Sequence, residues 1–224
     1  MLLIVGCRPA EGGREDEDAA VRNSLTFTYH RQIGAGVIDQ TLAISNAEPY
    51  SIVPVLAFTA LDRHHHRLPG VRVRTVFGSD RGGLVVSYGW GYDILRFSGP
   101  GEHQVYDVRV TVTRVTTAEN RGSLHAVGVR PLDAAGHAVS RFSRFAAVRV
   151  TNTDDFPVSA RVAYIAYDEP AQGDTQQVIS VTPIGALVRV PAHGSTVVKV
   201  TGDATRAVAR YSGSAVSVKA YNSQ

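Results

Sequence analysis

The chain has 224 residues, 44% hydrophobic and 19% charged, which suits a globular protein with a buried core in one large or two ordinary domains. A formal charge of +3 is too mild to point to nucleic acid, and every basic residue except histidine, Lys199 and Lys219 is arginine, the mark of GC-rich coding bias. The single cysteine excludes an intrachain disulfide and a Cys-based zinc site, and no run approaches the roughly 18 consecutive apolar residues of a membrane-spanning helix.

The chain begins MLLIVGC, with Cys7 after a short apolar run. Residues Ile4-Val5-Gly6-Cys7 resemble a bacterial lipobox, in which small or apolar residues precede a cysteine that is lipidated and becomes the new N-terminus. That resemblance implies lipidation of Cys7 and an extracytoplasmic, membrane-anchored protein of a high-GC bacterium. Only Leu2 to Val5 precede Gly6, whereas a signal peptide carries a basic n-region and an apolar h-region of about 7–15 residues. Lipidation at Cys7 therefore implies a reading frame that continues upstream of Met1. The next stretch, RPAEGGREDEDAAVRN, has too little apolar surface to offset its ordering entropy. Residues 1–23 are expected to be a lipobox-like start and a flexible acidic tether.

From Ser24 onward the pattern is β throughout. Period-two alternation in QTLAIS, VRVRTV, VYDVRVTVTRV, AAVRVT, STVVKV and AVSVKAY is broken at intervals by Gly, Pro, Asn and Asp. An internal similarity sharpens this reading. Ile44–Asp62 (ISNAEPYSIVPVLAFTALD) aligns without a gap on Val150–Asp168 (VTNTDDFPVSARVAYIAYD), placing Asn46 on Asn152, Phe58 on Tyr164 and Asp62 on Asp168. Further on, Pro100 is set against Pro191 and Gly122 against Gly213. The fold class expected is all-β: two tandem immunoglobulin-like β-sandwiches, 24–131 and 138–224, each of about 85–110 residues. The joint falls near RPLDAAGHA (Arg130–Ala138), which reads equally well as a hairpin turn.

Several segments invite a chemical reading. His64-His65-His66 follows Asp62 and precedes Leu68-Pro69-Gly70, so it reads as an exposed loop tip. Consecutive strand residues point to alternate faces and cannot close a metal triad. The acids Asp154 and Asp155 precede a long strand, and Asp168, Glu169 and Asp174 follow it. A ten-residue strand spans roughly 33 Å, so these acids cannot converge on one calcium ion. No H-E-x-x-H, G-x-S-x-G, Walker or G-x-G-x-x-G motif occurs, and His30, His103, His125, His137 and His193 are scattered. No catalytic residue, cofactor or metal site is therefore expected.

The stretch from Asp62 to Pro100 is longer than that from Asp168 to Pro191, which reads as an aromatic insertion at 82–99. It holds the sole tryptophan and spaces Tyr88, Trp90 and Tyr92 two apart, so a strand puts three rings on one face and Gly89 and Gly91 on the other. Such a row suits stacking on a sugar ring or docking a partner strand. The alternative is that the rings pack on the protein's own body or fill the joint.

Phe58-Thr59-Ala60-Leu61-Asp62 and Tyr164-Ile165-Ala166-Tyr167-Asp168, with the turn Pro100-Gly101-Glu102, resemble the bacterial FxLYD-type domain. Both copies have Ala where that family has Leu. The resemblance implies an immunoglobulin-like sandwich and an extracytoplasmic habit, and it implies no catalytic residue. The function expected is a non-enzymatic lipoprotein binding an envelope protein or a glycan through Tyr88, Trp90 and Tyr92, with no nucleic acid. The rival readings are an assembly subunit without lipid and an envelope hydrolase.

Overall fold

The computed structural model describes residues 23–31 and 39–224; Cys7 and the tether up to residue 22 lie outside the described residues. Strand makes up 49% of the protein and helix 7%, so the all-β expectation holds. The first half contributes β1 (Leu25–His30), β2 (Thr41–Asn46), β3 (Ile52–Leu61), β4 (Arg72–Thr75), β5 (Gly89–Ser98) and β6 (Asp107–Thr117). The second contributes β7 (Gly128–Leu132), β8 (Ala147–Thr151), β9 (Val158–Tyr167), β10 (Val178–Val190), β11 (Ser195–Lys199), the helix α1 (Asp203–Tyr211) and β12 (Val216–Asn222). The described strands form four antiparallel sheets, ordered β1-β2-β5-β4, β3-β6, β10-β9-β12 and β11-β8-β7.

The similarity between Ile44–Asp62 and Val150–Asp168 has a local structural counterpart. Both asparagines are buried and tie down the turn that follows them. Asn46 Nδ2 donates to Tyr50 O at 2.9 Å, and Asn152 Nδ2 donates to Phe156 O at 2.7 Å. Their Oδ1 atoms accept from Glu48 N and Asp154 N respectively, each at 3.0 Å. A long strand, β3 or β9, follows each turn.

The correspondence then changes course. The Pro100 turn leads from β5 to β6, which pairs with β3, whereas the Pro191 turn leads into β11, which pairs with β8. Strand β11 holds beside β8 the place that β5 holds beside β2, so Pro100 and Pro191 are not counterparts. The stretch 82–99 accordingly carries an integral sheet strand rather than an addition to one. In the same way Gly122 precedes β7, which opens a sheet with β8, while Gly213 precedes β12 on β9. The segment Arg130–Ala138 is the end of β7 and a tight turn, in which Asp133 N donates to His137 O at 2.9 Å.

Strand β9 explains how the halves are joined. One alternate set of its side chains, Val158, Val162, Tyr164 and Ala166, lies in a core with Val148, Val150, Ile184, Val198 and Val208. The opposite set, Ala163, Ile165 and Tyr167, lies in a core with Leu42, Ile44, Leu56, Phe77, Ile94 and Leu95 of the first half. A strand covered on both faces reads as a near-continuous apolar run, which RVAYIAY is. Burying each of the large side chains in it contributes about 1.5–3 kcal/mol.

Helix α1 departs from the all-strand expectation. Ala204, Ala207 and Val208 fall three and four residues apart and bury one stripe in the second core. Two of those three are alanines, and the helix is only nine residues long, so its period does not stand out in the sequence.

Candidate functional site: a cleft where the halves meet

The alternation of β12 sets up the site. Val216, Val218 and Ala220 point into the second core, so Ser217, Lys219 and Tyr221 face the first half. Opposite them stands β5. Tyr221 stacks on Phe77 (centroids 4.6 Å apart, 16° between planes), Phe77 meets Tyr92 edge-on at 5.4 Å, and Tyr92 lies nearly parallel to Trp90 at 6.4 Å. Four rings thus run from the joint to the surface.

At the outer end of this row is a cleft of about 630 Å³. Its walls are Trp90 and Tyr92 of β5, Thr41 and Ala43 of β2, Ser217 and Lys219 of β12, and Tyr167 of β9. Arg141 and Phe142, from the loop before β8, form its rim. That loop is fixed where Gly213 N donates to Phe142 O at 2.7 Å, and the Arg141 guanidinium lies 4.9 Å from the Phe142 ring centroid. A smaller recess of about 150 Å³ shares Trp90, Tyr92 and Lys219.

The electrostatics are one-sided. Lys219 and Arg141 line the cleft, and no acidic side chain among the described residues does. Burial, and after it the neighbouring Arg141, pulls the Lys219 ammonium below the ordinary lysine value. Burial, helped by Asp93, pushes the Tyr92 phenol up to about 12, and burial raises Tyr167 as well. Both phenols therefore stay neutral hydroxyls at physiological pH. The Tyr167 hydroxyl is buried and has no hydrogen-bond partner among the described residues. Strand β5 is held rigidly behind the rings, because the buried Asp93 carboxyl accepts from Phe77 N, Ser79 N and Ile94 N at 2.7, 3.0 and 2.7 Å.

Of the three aromatics singled out in the sequence, the structure brings two together. Trp90 is 58% exposed at the cleft mouth, and Tyr92 is half-buried against Phe77. Tyr88 is 57% exposed but belongs to a different depression, with Tyr50, Arg121 and Leu124. The row breaks at Gly89, whose φ of 97° interrupts the extended backbone and ends the period-two alternation. The His64–His66 tract lies in the exposed turn after β3, where Asp62 Oδ1 accepts from His64 N at 2.8 Å and His66 N at 2.9 Å. Among the described residues no group of three or more His, Cys, Asp or Glu could hold a metal ion, and no helix is long and apolar enough to cross a membrane.

Tyr167, Lys219, Arg141 and Phe142 were not singled out by sequence. Only Lys219 carries a signal there: it is one of two lysines in a chain that otherwise uses arginine. Tyr167 reaches the cleft through sheet pairing between distant strands, and Arg141 and Phe142 through the loop before β8. Compared with protein-family models, with curated proteins and with solved structures, the chain matches none.

Proposed function

We propose that this chain is a non-enzymatic binding module of the bacterial envelope, made of two immunoglobulin-like sandwiches in tandem and tethered through a lipid on Cys7, and that the cleft between the halves is its ligand seat. The observation that carries the reading is Trp90, a large exposed ring set parallel to Tyr92 at the mouth of a cleft lined by Lys219 and Arg141. Exposed rings over a rigid strand favour binding. The matched Asn46 and Asn152 turns support the tandem reading, with β7 counted in the second unit because it pairs with β8.

Two measurements test it. The protein expressed from the full upstream frame should carry a diacylglyceryl mass on Cys7, lost together with membrane association in Cys7→Ser. An unmodified thiol in the soluble fraction would overturn the anchor and favour the assembly-subunit reading. Purified cell-wall material should co-sediment with the soluble domains saturably, and Trp90→Ala with Phe142→Ala should abolish this. Equal sedimentation of the double variant, or none of the wild type, would overturn the ligand seat.

A further inference from the structure

The chemistry of the cleft limits what it can hold. A neutral ligand would leave the two cations that line it uncompensated, and an amine would be repelled. The half-buried Lys219 ammonium and the Arg141 guanidinium instead present complementary charge to an anion. Tyr167 contributes to the cleft wall, with its hydroxyl oxygen shut off from solvent. The nearest carboxylate acting on it, Asp39, lies outside the lining and accepts from Gln176 N at 3.2 Å. Beside these polar groups the flat faces of Trp90 and Tyr92 offer an apolar platform the width of a ring.

Resting on the reading of the cleft as the ligand seat, we infer that its ligand is an acidic saccharide: a sugar ring lies on Trp90 and Tyr92, and its carboxylate meets Lys219 and Arg141. The platform explains the ring, and the two cations explain the charge. A planar aromatic acid shares ring and charge, so tighter binding of benzoate than of a uronic acid at Trp90 would overturn the saccharide.

The sole tryptophan lies at the site, so its fluorescence reports occupancy directly. Titration with tetragalacturonic acid should change Trp90 emission saturably, while the methyl ester of the same tetramer, alike in shape and without charge, should bind at least about tenfold more weakly. Lys219→Met should weaken the acid by a similar factor and Lys219→Arg should restore much of it. Equal binding of acid and ester overturns the charge assignment and leaves the ligand seat standing. Silence from Trp90 with both tetramers, while cell-wall material still sediments through Trp90 and Phe142, overturns the saccharide alone. Tighter binding of a peptide bearing a free terminal carboxylate would overturn it in favour of a protein partner.

Discussion

At the scale of single residues, buried polar side chains do much of the connecting. Asp154 is 3% exposed and holds the segment between the halves, accepting from Leu124 N at 2.8 Å and pairing with His125. Burial pushes its carboxyl upward, but the bonds from His125, Leu124 N and Ser123 outweigh burial and hold it below the usual carboxylate range. A carboxyl whose folded value is depressed stabilises the fold above its unfolded value and loses that contribution as pH falls through the folded one. Wild-type stability should therefore drop as acid is added below about pH 4. In Asp154→Asn the urea midpoint should be lower at pH 7, and its gap from wild type should shrink by pH 2.5. A gap of equal size at both pH values would mean that this carboxylate does not latch the linker. The turns show the same economy on a smaller scale. Asp62 and Asp133 each open a turn whose fourth residue has positive φ, His65 at 59° and Gly136 at 87°.

Among the elements, β10 shows how a strand bends to serve two neighbours. Its register on β9 shifts between Ile184 and Val188, and Gly185 sits in that irregularity with φ of 69°. A Cβ there would lie 2.5 Å from Cγ1 of Val198, a core residue of β11. Gly185→Ala adds both backbone strain and a collision, and should cost roughly 2 kcal/mol. Equilibrium urea denaturation measures this directly; an unchanged midpoint would show that β11 can move off β10 freely.

For the whole molecule, the shared sheet decides how it unfolds. The first core is closed by Ala163, Ile165, Tyr167 and Val178 of the second half. Backbone and side chain bonds add to this closure: Val85 N donates to Asn222 O at 3.0 Å, Phe97 N to Gln177 Oε1 at 3.1 Å and Arg96 Nε to Val178 O at 3.2 Å. Halves coupled through a core unfold together. Trp90 fluorescence, which reports on the joint between the halves, and far-UV circular dichroism, which reports on both, should give coincident urea transitions. Two separated transitions would show that the halves are independent.

Local pattern alone was enough for the β class, the long strands β3 and β9, the two asparagine turns and the exposed histidine turn, because each rests on periodicity or turn chemistry within a few residues. Trp90 and Tyr92 were legible as a pair for the same reason. Tyr88 was misplaced in their row because a positive φ at glycine leaves no trace in the sequence. The pairings of β5 with β2, of β11 with β8 and of β7 with β8 were not legible, since strands of similar pattern can exchange partners without changing a residue. So too the cleft. Tyr167, Lys219 and Arg141 meet Trp90 only because β9 buries both its faces and brings β12 against the first half, a matter of packing between distant strands that tertiary structure alone decides.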